Sequence, residues 1–398
     1  MKEIYTKYLS VLRSFVQGTA PDKLEMQTLE KVMELAKINS TAGILSYAYM
    51  SHPELVEPQV RAYLRRQCFS EIALYSQRAE MTKILAAELD QNGIEFILFK
   101  GFVVRNYYPV PELRTFGDVD IIIHKEDRAK SDEMMLSLGF DRKEDWEPSY
   151  SYRKGTEFYE LHSRVIGFDV SDKADFVGYF GNIWDYTQPA QVVDLANARE
   201  LKPEFHFLYL LTHIAKHISR SGAGVRMYLD LAFFIQHFGA SLDWAWVTRE
   251  LEKLQLADFA NVALNAAASW FGIACPFALD AVDAQMMEDF TEFTLSGGVY
   301  GYVGRDQGEM FLKQQNRNEE EVSRFKTILR HAFPAAKILV NKYAYLEKYP
   351  WLLPIAWIQR LIDKRKEWGR FADSTRQILN ADEEKVLKLK RIYKEIGL

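Results

Sequence analysis

Two cysteines, Cys68 and Cys275, are all that the 398 residues contain. They stand far apart and form no Cys-x-x-Cys spacing, which argues against a disulfide framework and against a structural zinc site. Two free, buried thiols in a reducing compartment are expected instead. Long apolar runs are also missing. A membrane span needs roughly 20 consecutive apolar residues, and the nearest candidate, Tyr349 to Ile358, is short and interrupted by Pro350 and Pro354. Met1 to Gly18 mixes charged with apolar residues, unlike a secretory leader. A cytoplasmic location without a transmembrane segment is therefore expected. An excess of positive charge is absent too. The net charge of -5 argues against a protein whose whole surface grips nucleic acid, although a local basic groove is compatible with it. What remains is ordinary: 48% hydrophobic and 26% charged residues suffice for a sizeable core. The length allows two or three domains.

The first ninety residues read as helices. Tyr5, Leu9, Leu12 and Val16 recur at helical spacing until Pro21-Asp22. Leu24 to Lys37 forms a second stretch, and a long one opens at Pro58 and ends at Asn92-Gly93. The pattern then changes. Ile94 to Phe99 reads as a strand, followed by Lys100-Gly101 and a short helix through Tyr108. Val119 to Ile123 reads as a second strand, Glu126 to Leu138 as a helix, and Ser149–Lys154 and Thr156–Val165 as two more strands. After Pro203 helices return: Phe205–Ile218, Val225–His237, Trp244–Leu254, Asp258–Phe271 and Asp382–Ile396. Gly297 to Asn316 reads as a loop. The division is a helical region over 1–92, a small α/β unit over 93–200 and a second helical region over 201–398.

The chemistry concentrates in Lys100-Gly101, Arg114, Gly117-Asp118-Val119-Asp120 and Tyr159-Glu160-Leu161-His162. Side chains alternate along a strand, so Asp118 and Asp120 point to one side. Two carboxylates that close raise each other's pKa, and a divalent cation removes the penalty. Magnesium takes oxygen ligands and commonly combines one or two carboxylates with substrate phosphates. Glu160 lies between apolar Tyr159 and Leu161, where an isolated carboxylate is costly. If its strand lies beside Val119–Ile123, it joins the aspartates, and three carboxylates can hold two metals. Lys100-Gly101 at a strand end allows close backbone approach to a phosphate, and the following helix start favours an anion. Arg114 has the fork for phosphate oxygens, with a salt bridge to Glu112 or Asp118 as the alternative.

These stretches, LFKGFVVRNYYP, LRTFGDVDIII and YELHSRV, resemble the bacterial "uncharacterised nucleotidyltransferase" family of the nucleotidyltransferase superfamily, which includes the DNA polymerase β type. The likeness extends to LLTHIAKH and VRMYLDLAFFI and runs from Ile94 to Phe234. It implies an α+β fold, a small mixed-sheet nucleotidyltransferase core with N-terminal and C-terminal helical flanks. It implies Asp118, Asp120 and Glu160 as metal and catalytic carboxylates for magnesium or manganese. It also implies Lys100, Gly101, Arg114 and Gly117 at the nucleotide. Phe102 stands where the wider superfamily usually has Ser or Gly.

Further residues are candidates for the surroundings of the site. His162 shares a strand face with Glu160; His213 and His217 are four apart on one helix, as are Arg226 and Asp230, which are expected to pair. His213 is followed by Ile214, so the zinc-protease pattern is not met. Arg324 to Arg370 is basic and aromatic, carrying Trp351, Trp357 and Trp368 among its lysines and arginines. It is either a solvated helical face or a site for a peripheral anionic partner. The expected activity is metal-dependent transfer of a nucleotide from a nucleoside triphosphate to an acceptor: a small molecule, a saccharide, a protein or RNA. The alternatives are an inactive nucleotide-binding or scaffold protein of the same fold, and a polyanion- or membrane-surface-binding protein.

Overall fold

The computed structural model describes the chain except residues 147, 168, 169, 276, 277, 300, 302–308, 310, 311, 313–322, 341, 344 and 364–367. Its contacts group into two compact units, Met1–Val303 with Ile396–Leu398, and Gly304–Glu395.

The first unit opens with α1 (Lys2–Gln17), α2 (Met26–Ile38), α3 (Ala42–Met50) and α4 (Pro58–Gln91). Gly18 ends α1 with φ 64°, the left-handed cap a side chain resists. Proline opens α4 at its first turn, where a missing N–H costs nothing.

The sheet follows. It contains β1 (Phe96–Leu98), then α5 (Gly101–Val104), β2 (Val119–Ile123), α6 (Arg128–Ser137), β3 (Asp141–Trp146), β4 (Ser149–Lys154), β5 (Glu157–His162), α7 (Phe176–Tyr179), β6 (Thr187–Pro189) and β7 (Ala198–Leu201). Among the described residues, seven strands lie in the order β3-β4-β5-β2-β1-β7-β6. Two neighbouring pairs, β2·β5 and β1·β7, are parallel; the other pairs are antiparallel. The mixed sheet with helical flanks is thus the architecture of this unit.

Three of the seven strands go beyond the four read from sequence. β3 has the charged sequence DRKEDW and pairs only with β4, so it is an edge strand, where charge is tolerated and hydrophobic alternation is not required. β6 and β7 are only three and four residues long. The place of β7 beside β1 is a long-range parallel pairing that no local pattern encodes, and β6 pairs antiparallel with β7.

Alternation sorts the sheet's two faces. Phe96, Leu98, Val119, Ile121, Ile123, Tyr159 and Leu161 pack with Ala79, Leu85, Ala86 and Leu89 of α4 and Met134 and Met135 of α6 in one buried cluster. The residues between them in β2 and β5, notably Asp120, Glu160 and His162, must therefore emerge on the opposite face.

The chain continues through α8 (Pro203–Arg220), α9 (Val225–Phe238), α10 (Trp244–Lys253), α11 (Ala257–Phe271) and α12 (Ala284–Ser296). α1 closes against α11: Arg13 Nε donates to Trp270 O (3.2 Å) and Gln17 Nε2 to Phe271 O (2.9 Å). Both cysteines are free thiols, and burial pushes Cys68 up to about 11.

The second unit contains helices Arg324–Ala332, Leu353–Asp363, Trp368–Asn380 and Glu383–Glu395. Among its described residues, small apolar clusters centre on Leu312, Ile378 and Val386, and on Leu339, Leu346 and Ala356. Phe325, Trp351 and Ile358 are exposed. Lys364, Arg365, Lys366 and Glu367 of the basic segment lie outside the described residues, as does most of the expected loop Gly297–Asn316. No described helix is long and apolar enough to cross a membrane.

Candidate active site

The register of β2 and β5 makes Asp120 and Glu160 direct neighbours across a parallel pair, with Ile122 opposite His162. Among the described residues, Asp120, Glu160 and His162 form the one His/carboxylate group whose ligand atoms all lie within 4.8 Å of one another. His162 Nε2 is 2.8 Å from Asp120 Oδ1 and 3.3 Å from Glu160 Oε2. Asp118 precedes the strand, is exposed, and stands at the mouth of the same cleft. The third member of the tight group is thus His162, two residues after Glu160 on the same strand face, while Asp118 stands outside it.

Lys100 supplies the nearest positive charge. It leaves β1 with φ 53° and ψ −134°, a conformation that L-residues other than glycine avoid at a cost of about 1–3 kcal/mol. The turn aims its ammonium at Asp120 Oδ1, 3.0 Å away. Its backbone N–H donates to His206 Nε2 at 3.2 Å. His206, on α8, was not singled out in the sequence. The signal was its helical spacing of seven from His213 and eleven from His217, which sets all three on one face.

Electrostatics follow from this packing. Burial works to raise Asp120, but the Lys100 ammonium and the His162 ring outweigh it and hold this carboxyl far below the usual carboxylate range. Asp118 is shifted upward: although its side chain reaches solvent, the protein crowded around it desolvates the carboxyl, and the Asp120 charge adds to this. For His162, burial opposes the charge, but hydrogen bonds to Asp120 and Glu160 prevail and raise it. Two oxygen-bearing carboxylates and an imidazole, with a second aspartate at the mouth, suit a divalent cation by donor type. At Asp120 the charge a cation would neutralise is already met by Lys100.

Arg114 is buried, and its guanidinium grips a carboxylate. Nε lies 3.0 Å from Asp230 Oδ1 and Nη2 2.6 Å from Oδ2, with the Tyr108 hydroxyl donating to Oδ1 at 2.8 Å. The expected pairing of Arg226 with Asp230 is therefore not what forms: the nearer fork, Arg114, holds Asp230, and Arg226 donates to Thr115 O and Oγ1. Glu112 pairs with Arg105 instead of Arg114. Gly101 acquires a reason here. A Cβ at this position would collide with the Arg114 guanidinium, so the missing side chain makes room for the arginine. The loop before β2 is fixed from a third side by Arg78 of α4, which donates to Phe116 O (2.6 Å) and Thr156 O (3.2 Å).

The cleft is lined by Lys100, Gly101, Arg114, Asp118 and Asp120 from the sheet side and by His213, His217, Arg226 and Asp230 from α8 and α9. Gly117 is an exposed bend just before Asp118. His213 and His217 meet at Nε2–Nε2 3.2 Å. Burial first, then Lys100, draws both rings down, His217 to about 4.

The chain matches the model of a protein family described as uncharacterised nucleotidyltransferase over residues 25–272. No curated protein matches it. Among solved structures, that of the antibiotic-resistance factor ANT(2'')-Ia is similar at 14% identity, over 49% of this chain and 96% of that chain, with a TM-score of 0.33.

Two outcomes are expected from this geometry. Asp230→Ala leaves the buried Arg114 charge without its carboxylate, and should lower stability in urea unfolding by about 3–5 kcal/mol. A loss below about 1 kcal/mol would mean that the guanidinium reaches water or another acceptor. The second concerns pH. His206, drawn by burial to about 3, His217 and His213 stay neutral in the folded chain where unfolded histidine, near pKa 6.5, takes up protons. The unfolded state then binds more protons, so stability falls as pH drops through about 6.5 towards 4. His162, raised in the fold, works the opposite way over that window, one ring against three. Thermal melts should show a lower midpoint at about pH 5 than at about pH 7.5, and His206→Gln should narrow the difference. Equal midpoints would contradict neutral burial of the three rings.

Proposed function

We propose, from the premise that this chain belongs to the uncharacterised nucleotidyltransferase family, that it transfers a nucleotide from a nucleoside triphosphate to an acceptor in the cleft beside β2 and β5. The observation that carries this reading is the adjacency of Asp120 and Glu160 across the parallel β2·β5 pair, with Lys100 at the carboxylate and Asp118 at the mouth. Asp118, Asp120 and Glu160, with His162 beside them, are the residues that would hold magnesium or manganese. Bound there, such a cation would supply positive charge to the phosphate oxygens.

The chain's own groups have the following parts. An acceptor oxygen forms a bond to the α-phosphorus while the bond from that phosphorus to the bridging oxygen breaks, and the electron pair leaves with pyrophosphate. When the acceptor is a hydroxyl, its proton passes to the Glu160 carboxylate, which His162 orients. Lys100 offsets the negative charge at Asp120 before substrate arrives. Gly101, Arg114 and Asp230 hold the turn and α9 in place around the substrate, Arg114 acting through Asp230 instead of through a phosphate. Gly117 sets the bend that presents Asp118. The donor set and the family support the reaction class; the acceptor is a hydroxyl or phosphate oxygen.

A second reading concerns the other unit. Phe325, Trp351 and Ile358 are 72%, 74% and 59% exposed in a segment that also carries Lys326, Arg330, Lys342, Lys348 and Arg360. Apolar side chains interspersed with cations favour an anionic membrane surface as the peripheral partner.

Asp118→Asn combined with Asp120→Asn should abolish nucleotide transfer while the far-ultraviolet spectrum and melting remain those of a folded chain. Transfer at the wild-type rate in that variant would refute the assignment. Co-sedimentation with anionic lipid vesicles should fall with salt, and further with Trp351→Ala and Phe325→Ala. Binding indifferent to both would remove the membrane reading.

A further inference from the structure

Asp120 Oδ1 is contacted twice. Lys100 Nζ lies 3.0 Å from it and His162 Nε2 2.8 Å. A carboxylate oxygen offers about two acceptor sites, so both are taken. The same His162 nitrogen reaches Glu160 Oε2 at 3.3 Å, so Oδ1 is the oxygen that Asp120 presents to His162 and, across it, to Glu160. The Lys100 and Asp120 side chains are 16% and 10% exposed, so little water competes for the pair. The ammonium also lies 5.1 Å from the ring centroid of Phe99 and 5.8 Å from that of Tyr209, both buried. Aromatic faces hold a cation. One carboxylate and two rings thus seat an ammonium at the oxygen that faces the other members of the tight group.

Occupation of that oxygen is exclusive. Magnesium approaches its oxygen ligands to about 2.0–2.1 Å, closer than an ammonium does, and carries twice the charge. The two cannot share Oδ1 without like-charge repulsion where little water screens it. The backbone of Lys100 is fixed: its N–H donates to His206 Nε2 at 3.2 Å from the φ 53° turn. What can move is the flexible four-carbon side chain. Lys100 lines the cleft itself, so an ammonium displaced from Asp120 stays within reach of whatever the cleft contains.

We propose that Lys100 is a resident stand-in for the divalent cation: its ammonium occupies Asp120 in the empty chain and must give up that carboxylate before a metal ion binds there. This rests on the metal-dependent reading of the cleft. The consequence is a coupling between ligands. Metal alone has to break a buried ion pair and leave the ammonium without a counter-charge, so it binds weakly. A phosphate in the cleft receives the released ammonium, so metal and nucleotide each raise the affinity for the other, as linkage requires. Lys100 thereby keeps the carboxylates from repelling one another in the empty chain and admits the metal together with the substrate.

The test is titration of the full chain with manganese alone, without nucleotide, with the free ion followed by electron paramagnetic resonance. Lys100→Met should bind manganese about tenfold more tightly than wild type. Lys100→Arg, which keeps the charge, should stay close to wild type. A second measurement needs no substitution. Reductive methylation of wild type, mapped by mass spectrometry, should modify Lys100 several-fold faster with saturating manganese than without it. Lys83, an exposed lysine, is the internal reference. This measurement decides if Lys100→Met does not fold. Equal manganese affinity in wild type and a folded Lys100→Met, or methylation of Lys100 indifferent to the metal, overturns the stand-in and leaves the metal site standing. Manganese binding that survives in Asp118→Asn/Asp120→Asn puts the ion elsewhere and overturns both. So does the absence of binding by wild type and Lys100→Met alike.

Discussion

Two carboxylates, Asp120 and Glu160, stand side by side on adjacent parallel strands, and the surroundings of the cleft answer that repulsion. A sheet tolerates like charges at cross-strand positions only when something of opposite sign is held against them. Lys100 and His162 do this for Asp120. Lys100 can do so only from a turn with positive φ, and the turn is held in turn by the neutral ring of His206. The unusual backbone and the buried histidine are thus consequences of one electrostatic requirement. Backbone strain of this kind clusters at active sites and ligand clamps, which accords with the proposed role of the cleft.

The second constraint is mechanical. Arg114, just before β2, and Asp230, on α9, are 116 residues apart and form a buried two-point pair. Such a pair adds little net stability over an apolar contact, because both charges are desolvated, but it allows few alternative geometries. Gly101 is absent of side chain where the guanidinium passes, and Thr115 accepts from Arg226 of the same helix. The loop that presents Asp118 is therefore registered against α9, and through α9 against the facing helix α8. Both walls of the cleft carry charge of both signs, with Lys100, Arg114, Asp118 and Asp120 on the sheet side and Arg226 and Asp230 beside His213 and His217 on the helices.

Much of this was legible before any coordinates. β2 is the strand read from Val119–Ile123, and α4 ends where Asn92-Gly93 demanded. Those elements are local: hydrophobic alternation, a proline at a helix start, a glycine at its end. Asp120 and Glu160 could be matched because each interrupts an apolar strand. The edge strand β3 was not legible, since its charged side chains carry no alternation, nor were β6 and β7, which are too short to have a pattern. Among side chains, the reading erred where several partners were equally near in sequence. Asp230 had Arg226 one turn away on its own helix, yet the buried partner is Arg114.

The sequence by itself determined the long amphipathic helices, the apolar strands β1, β2, β4 and β5, the succession of elements around Lys100-Gly101 and Gly-Asp-x-Asp, and the family to which that succession belongs, because each follows from residue type at short range. Only the tertiary structure decided which charges meet. It seated Lys100 on Asp120, put His162 in the tight group ahead of Asp118, gave Arg114 to Asp230, and turned His213 and His217 of α8 into the cleft that holds Asp118 and Asp120. The reason is that a buried charge selects its partner by distance through space and by what water is excluded, and neither quantity is written in spacing along the chain.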